Sequence, residues 1–192
     1  MPDLVGAAAA AGACAVQLRE KDLPTRELLA LARDLRRRTA GVPLLINDRI
    51  DLCWAAQADG VQLRRDSLPI AVARRLLGPS KIIGVSVHAL DEALQAEREG
   101  ADFLLFGPVY ATPSKLPYGQ PQGVAALSAV ARRVRLPVFA IGGVTAERVP
   151  ELFHAGARGV GVISAVLRAD DVAAAAEALA HAVAHAQRAA SS

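Results

Sequence analysis

The chain alternates short apolar runs with longer segments of helical period, and this alternation extends over nearly its whole length. The apolar runs predict strands at residues 15 to 18, 43 to 47, 60 to 63, 81 to 87, 102 to 107, 137 to 143 and 159 to 164. Amphipathic segments predict helices at residues 24 to 39, 49 to 57, 69 to 77, 89 to 99, 123 to 134, 145 to 155 and 169 to 188. Repeated units of a strand followed by a helix are typical of an α/β protein with a parallel sheet.

A weak internal repeat favours a barrel over an open, doubly wound sheet. The segments "AAGACAVQL", "AQADGVQL", "REGADFLLFG" and "HAGARGVGVI" each end a helix with small residues and enter a strand at once. No GxGxxG motif follows the first strand, which argues against a dinucleotide-binding sheet. We therefore predict a TIM (β/α)8-type barrel.

The strand count falls one short of that barrel. A closed barrel of this type has eight strands, whereas the residues before Ala15 have the composition of a helix, Ala-rich from Ala7 to Ala11. We expect the barrel to lack its first β-strand. Such a barrel has two unpaired sheet edges.

Composition indicates one aliphatic core. The chain has 192 residues, of which 53% are hydrophobic and only 4% aromatic. We predict a single barrel domain over residues 1–192, in which residues 186–192 form a frayed tail. A symmetric homodimer is the expected assembly.

Charge and cysteine content limit the classes of partner and the cellular compartment that we expect. The net charge of +3 comes largely from arginines dispersed along predicted helices without interleaved aromatic residues, so we expect solvated helix faces and no nucleic-acid partner. Cys14 and Cys53 lie in apolar surroundings with no metal-site spacing, which predicts buried thiols in a reducing compartment. The sequence starts without a basic leader and has no apolar run of about 18 residues, so we predict a cytoplasmic protein with no membrane partner.

Polar residues follow nearly every predicted strand. In a (β/α) barrel the carboxyl ends of the strands form the active-site mouth, so these residues converge there. They are "REK" at 19 to 21, "NDR" at 47 to 49, "RRDS" at 64 to 67, Ser86, His88, Thr112, Ser114, Lys115, Gly142, Gly143 and Ser164.

Two neighbouring loops at this mouth suit a phosphate. The segments "AIGGV" and "VGVISA" end strands with small residues that let backbone N–H groups approach a ligand, and helices begin after Thr145 and after Ser164. Gly142 and Gly143 could instead make only a tight turn. The agreement of two adjacent loops favours the phosphate site.

A set of cations faces one carboxylate across the mouth. Arg19, Lys21 and Lys115 with Asp48 and Asn47 suit a polyanion with a bound Mg²⁺, because Lys and Arg hold phosphate oxygens while a hard cation takes carboxylate oxygen and water. The same residues could form a solvated ion-pair network.

His88 follows a predicted strand. A histidine in such a position is a proton shuttle in some proteins and a structural hydrogen-bonding residue in others.

The motifs, taken in order, resemble one family. "VQLREK", "NDR", "DGVQL", "GVSVH", "GADFLLFGPVYATPSK", "PVFAIGG" and "GARGVGVISA" resemble the superfamily of thiamine phosphate synthase and the TenI-type thiazole tautomerases, from Cys14 to Ala169. The resemblance implies a TIM barrel that binds a thiazole phosphate. In the synthase it also implies a hydroxymethylpyrimidine diphosphate with Mg²⁺, and coupling of the two small molecules with loss of pyrophosphate.

The resemblance also assigns roles to individual residues. It implies a diphosphate site at Arg19, Lys21, Asn47, Ser86 and Lys115. We predict Arg19, Lys21, Ser86, His88 and Lys115 to be catalytic, and Ser114 to bind substrate. It implies a Mg²⁺ ligand at Asp48, a pyrimidine contact at Gln17, and a thiazole-phosphate cradle at Thr112, Gly142, Gly143, Ile163 and Ser164.

Two positions depart from the family pattern. The second Mg²⁺ carboxylate of the synthase falls at Ser67, although Asp66 could substitute by a shift of one residue, and the arginines at 64 and 65 could either replace lost cationic charge or block the diphosphate. The tautomerases can carry a catalytic His where this chain has Pro108. The synthase reaction is the favoured interpretation, ahead of the tautomerase and of a non-catalytic paralogue that binds thiazole phosphate.

Overall fold

Seven parallel strands in consecutive order form the sheet of the computed structural model, which describes residues 1–112 and 120–190. The strands are β1 Val16–Leu18, β2 Leu44–Asn47, β3 Gly60–Leu63, β4 Ile82–Val87, β5 Phe103–Phe106, β6 Val138–Ile141 and β7 Gly159–Gly161. The predicted strand order and number are confirmed. Each strand is shorter than or equal to its predicted run, because the flanking residues belong to the loops.

Helices connect the strands on the outer face. They are α1 Pro2–Ala10, α2 Thr25–Arg38, α3 Ile50–Ala55, α4 Ile70–Leu77, α5 Leu90–Glu99, α6 Gly123–Ala131, α7 Val149–His154, α8 Ser164–Leu167 and α9 Val172–Ala190. A 3-10 turn at Ala146–Arg148 precedes α7. The helix α8 begins at a residue that the sequence pattern placed at the end of the last strand.

The two faces of the sheet differ in chemistry. One face carries aliphatic side chains such as Leu44, Ile46, Val61 and Ile83, each at most 1% exposed, and forms the core beneath the helices. The other face lines the inside of the curled sheet. Burial of strands on both faces explains the nearly continuous apolar runs in the sequence.

The inner face of the sheet is apolar near the amino ends of the strands and partly polar near their carboxyl ends. Near the amino ends, Phe103 and Phe139 pack edge to face with ring centroids 5.4 Å apart. Towards the carboxyl ends of β1, β3 and β4 the inner positions belong to Gln17, Gln62 and Ser86, whereas Leu105 and Ile141 hold the inner positions of β5 and β6. The polar side chains of the first four strands thus collect at the mouth, where the barrel architecture places a ligand site.

Strands β1 and β7 are the ends of the sheet, and no pairing within the described residues joins them. Helix α1 lies near this gap, because its Ala8 packs in a small cluster with Val166, Val172 and Ala176 of α8 and α9. The fold is therefore a curled barrel with an interruption between its first and last strands, as the strand count predicts.

Two smaller expectations were wrong. Residues 186–190 continue α9 and Ala186 is buried, so this part of the expected frayed tail is helical. Cys14 is exposed, whereas Cys53 is fully buried as predicted. Burial raises the pKa of the Cys53 thiol from 9.0 to about 11.

In the part of the chain that the structure describes, no helix is long and apolar enough to cross a membrane.

Candidate active site

Side chains at the carboxyl ends of the first two strands are joined by hydrogen bonds. Gln17 Nε2 donates to Asn47 Oδ1 at 3.3 Å, and Asn47 Nδ2 donates to Asp48 Oδ2 at 3.0 Å. The backbone N–H of Asp48 donates to the Gln62 carbonyl at 3.0 Å, and its φ of 62° is uncommon for a residue other than glycine. This backbone conformation turns the Asp48 side chain towards the loop that follows β3.

That loop holds the Asp48 carboxylate from two sides. Arg64 Nε donates to Asp48 Oδ2 at 2.8 Å, and the Ser67 hydroxyl forms a short hydrogen bond with Asp48 Oδ1. Ser67 Oγ also accepts from the Arg64 backbone N–H at 2.7 Å. Asp66 lies on the outer side of Arg64, with 3.3 Å between its Oδ2 and Arg64 Nη2. We call Asp48, Arg64, Asp66 and Ser67 the Asp48 cluster.

Gln62 anchors the neighbouring strand. Its side chain is 1% exposed and donates from Nε2 to Ser86 Oγ at 3.0 Å, so it fixes the position of the Ser86 hydroxyl. Gly84 makes room for this contact, because a Cβ there would lie 2.3 Å from Gln62 Oε1 and 2.2 Å from Phe103 Cζ. Sequence reasoning did not assign Gln62 or Gly84 to the site; only their pairing across β3 and β4 indicates it.

Arg19 and Lys21 follow β1 and are both exposed at the same mouth. Ser114 and Lys115 lie outside the described residues. Thr112 precedes them and is partly buried. The structure therefore brings together the predicted residues of β1, β2 and β4 but does not describe the centre of the loop after β5.

The predicted phosphate cradle lies across the mouth, at the ends of β6 and β7. Gly142 and Gly143 have φ of 98° and 66°, which an L side chain rarely adopts. Ile163 is 64% exposed beside Ser164, the first residue of α8. The helical segments that begin here are short, because a three-residue 3-10 turn precedes the six-residue α7 and α8 has four residues, so the expected helix-dipole contribution is weak. Backbone N–H groups are the main anion donors that this cradle offers.

A cluster of three side chains braces the cradle against the root of the loop after β5. Tyr110 donates its hydroxyl to Glu151 Oε2 at 2.6 Å, while the Arg148 guanidinium lies 4.2 Å from the Tyr110 ring centroid. Arg148 also donates a short hydrogen bond to the Gly143 carbonyl. Burial, together with the hydrogen bond to Glu151, raises the pKa of Tyr110 to about 12. We call Tyr110, Arg148 and Glu151 the Tyr110 brace.

The two ends of the same loop are joined at its base. The Gln122 N–H donates to the Pro108 carbonyl at 2.8 Å, and the Gly123 N–H donates to the Val109 carbonyl at 3.1 Å. The Gly107–Pro108 peptide bond is cis. The sequence signalled a functional loop by its Pro and Gly content, but it did not reveal the Tyr110 brace.

His88 is held by one hydrogen bond from its ring and one from its backbone N–H. Its Nδ1 forms a short hydrogen bond with the Gly107 carbonyl, and its backbone N–H donates to Glu92 at 2.7 Å. Because a carbonyl only accepts, Nδ1 carries the hydrogen and the neutral ring keeps a lone pair on Nε2. The ring is thus structurally anchored and also retains one basic nitrogen.

The resemblance implied Mg²⁺ at Asp48, and the donor set of the Asp48 cluster fits this ion poorly. Mg²⁺ needs octahedral oxygen ligands, usually from one or two carboxylates with water and phosphate. Here both oxygens of Asp48 already accept hydrogen bonds, and Asp66 pairs with Arg64. Within residues 1–112 and 120–190, no group of three or more His, Cys, Asp or Glu side chains is arranged to hold a metal.

Two surface hollows lie elsewhere. One of about 550 Å³ is bordered by Arg158, before β7, and one of about 420 Å³ by Pro43 and Asp59, before β2 and β3. Both are at the amino ends of the strands. The site is therefore identified by its converging polar groups and not by cavity size.

A parallel β/α barrel with a polar layer at its mouth, exposed cations on one side and a glycine cradle on the other defines a class, the barrel proteins that bind phosphorylated small molecules. The chain belongs to the thiamine monophosphate synthase (TMP-TENI) family, whose sequence profile matches residues 1–166.

Individual relatives agree with this assignment. The chain is 52% identical to a putative thiamine-phosphate synthase of Geobacter sulfurreducens over 170 residues, 88% of this chain and 80% of the relative. It is 49% identical to the thiamine-phosphate synthase of Moorella thermoacetica, covering 92% of this chain and 85% of the relative. The solved structure of thiamine phosphate pyrophosphorylase from Pyrococcus furiosus superposes with a TM-score of 0.89 at 38% identity, covering 96% of this chain and 90% of that one.

Proposed function

We propose that this chain couples hydroxymethylpyrimidine diphosphate with thiazole phosphate to give thiamine phosphate and pyrophosphate. Membership of the family and the names of relatives that are 45–52% identical support this transferase activity. The observation that carries the proposal is the division of one mouth into two sides, with hydrogen-bonded polar side chains at the ends of β1 to β4 and two positive-φ glycines at the end of β6, next to the end of β7. Two phosphorylated substrates need such a division.

On the first side, the proposed task is to receive the leaving group. The C–O bond between the pyrimidine methylene and the diphosphate breaks, and the bonding electron pair leaves with pyrophosphate. Arg19 and Lys21 meet the charge that develops on those oxygens, and Lys115 joins them from the loop. Preorganised cations and dipoles at a developing charge are commonly the largest contribution to catalysis. Asn47 and Ser86 contribute hydrogen bonds, and their side chains are held in place by Gln17 and Gln62.

On the second side, the proposed task is to hold the nucleophile. Gly142, Gly143 and Ser164 bind the thiazole phosphate through backbone N–H groups, Thr112 and Ser114 approach it from the loop, and Ile163 supplies apolar contact. The thiazole nitrogen then donates its lone pair to the pyrimidine methylene carbon and forms the new C–N bond. Gln17 contacts the pyrimidine. Holding both substrates in line replaces a bimolecular encounter and lowers the barrier.

No step of this proposal is assigned to a metal. Magnesium as a cofactor stays a prediction. The Asp48 cluster does not support it, because both oxygens of Asp48 already accept hydrogen bonds. The homodimer and the cytoplasmic location also stay predictions.

The test is a coupling assay with both substrates and detection of thiamine phosphate. Lys21→Ala should lower kcat/KM at least about tenfold, because it removes one positive charge from the leaving-group side. Arg26→Ala, which removes another exposed cation, on α2, is the matched control and should leave the rate unchanged. Tight binding of thiazole phosphate without product would contradict the synthase and identify a binding paralogue.

The tautomerase remains a second candidate because of His88. Its Nδ1 is committed to the Gly107 carbonyl, which leaves Nε2 as a base that could move a proton on a carboxylated thiazole phosphate. Proton exchange from solvent into that compound, without any pyrimidine substrate, would support this activity. Loss of the exchange in His88→Gln, with no loss of coupling, would separate the two reactions.

A further inference from the structure

The Asp48 cluster contains a guanidinium where the resemblance implied a metal ion. Arg64 and Asp48 are both half-buried, with 35% and 23% of their side chains exposed, so their attraction is less screened than that of a surface pair. The inference drawn from this pair concerns how the diphosphate is bound, and it rests on the proposed function.

The hydrogen bonds of Asp48 leave little room for a further ligand. A carboxylate offers about four lone-pair positions. Three are engaged, by Ser67 at Oδ1 and by Arg64 Nε and Asn47 Nδ2 at Oδ2. A dication at Oδ2 would also lie beside the guanidinium and be repelled by it.

Ser67 links the Asp48 carboxylate to the backbone of the turn after β3. Its hydroxyl bridges the Asp48 carboxylate and the Arg64 N–H, and its own N–H donates to the Arg64 carbonyl at 3.1 Å. The turn after β3 is therefore closed on itself and presents Arg64 in one orientation. The Ser67 hydroxyl thus closes the turn. It stands where the resemblance implied a second Mg²⁺ carboxylate, so this position supplies no carboxylate to the mouth.

Arg64 keeps hydrogen-bond donors for a ligand. Its contacts to Asp48 and Asp66 use Nε and Nη2, and a guanidinium carries five N–H groups. Arg65 differs from it, because its side chain is 87% exposed and its contact is with Glu92 at 3.8 Å. The two adjacent arginines therefore have separate roles.

We infer that Arg64 takes the place of a metal ion in this chain: it cancels the charge of Asp48 and offers N–H donors, so pyrophosphate binds the mouth without Mg²⁺. Without Arg64, Asp48 would face the diphosphate as an uncompensated negative charge and would become available to a dication. Replacing Arg64 should consequently create a requirement for Mg²⁺.

Calorimetric titration with inorganic pyrophosphate, in EDTA and in excess Mg²⁺, tests this inference. The wild-type Kd should be nearly the same in both media. For Arg64→Met, Kd in EDTA should rise at least about tenfold, and Mg²⁺ should restore most of the lost affinity. The double variant Asp48→Asn with Arg64→Met should regain metal-free binding, because no uncompensated charge remains. Arg65→Met removes the same formal charge one residue away and should change neither Kd.

A second readout is independent of pyrophosphate. Mn²⁺ titration followed by electron paramagnetic resonance should find no ordered site in the wild type and one site in Arg64→Met. Circular dichroism and urea midpoints establish that each variant is folded.

The outcomes separate the two proposals. A wild-type Kd that is about tenfold tighter in Mg²⁺ and loses this gain in Asp48→Asn would overturn the inference and leave the coupling reaction standing. Absence of pyrophosphate binding in both media would overturn the inference and also remove the diphosphate side of the proposed function.

Discussion

Gly143 offers a direct test of the phosphate cradle, because the cost of adding one methyl group can be derived from the structure. Its φ is +66°, and a Cβ there would lie 2.7 Å from Tyr110 Cβ and 3.1 Å from the Ala111 carbonyl oxygen. The left-handed backbone costs an alanine about 1–2 kcal/mol. The overlap with a braced Tyr110 adds about 1–3 kcal/mol, as for overpacking in a core.

Gly100 is the matched control for this substitution. It ends α5 with φ of +91°, and a Cβ there would meet nothing within 4 Å. Gly100→Ala should therefore lower the free energy of unfolding by about 1–2 kcal/mol through the backbone alone. Gly143→Ala should lose about 2–5 kcal/mol where the loop stays in place. If the loop moves to relieve the overlap with Tyr110, part of this loss will instead appear as weaker binding of thiazole phosphate.

Urea unfolding and titration with thiazole phosphate measure the two parts. We expect Gly143→Ala to be less stable than Gly100→Ala, or to bind thiazole phosphate at least about tenfold more weakly, which corresponds to 1.4 kcal/mol. Gly100→Ala should bind thiazole phosphate like the wild type. If Gly143→Ala matched Gly100→Ala in stability and the wild type in affinity, the reasoning from the Tyr110 contact and the cradle would be refuted.

Further predictions concern the brace, the core and the thiols. Tyr110→Phe should raise KM for thiazole phosphate by a small factor with little change in kcat, because only the hydroxyl contact to Glu151 is lost. Leu104→Ala should lower the free energy of unfolding by about 2–5 kcal/mol in urea, since the side chain is fully buried. At pH 8 iodoacetamide should label the exposed Cys14 and spare Cys53 until the protein is unfolded, as mass spectrometry would report. Because burial raises the Cys53 pKa from 9.0 to about 11, its contribution to stability is full below pH 9 and is lost as the pH rises towards 11.

The sequence alone determined the architecture. Alternation of apolar runs with amphipathic segments predicted all seven strands and their parallel order, because strands buried on both faces leave a continuous apolar signal. It also located the mouth, since residues that directly follow parallel strands must share one end of the sheet. The differences were local: Cys14 is exposed, and residues 186–190 continue α9, in which Ala186 is buried.

Only the tertiary structure decided which polar groups contact one another. Asp48 and Arg64 are 16 residues apart, and Tyr110 and Glu151 are 41 apart. Their pairing depends on strand register, on a φ of 62° at Asp48 and on the side chains that surround each contact. A sequence pattern records burial and turns but not these long-range geometries. The physical difference between a carboxylate free for a metal and one held by a guanidinium therefore became visible only when β2 and β3 were placed side by side.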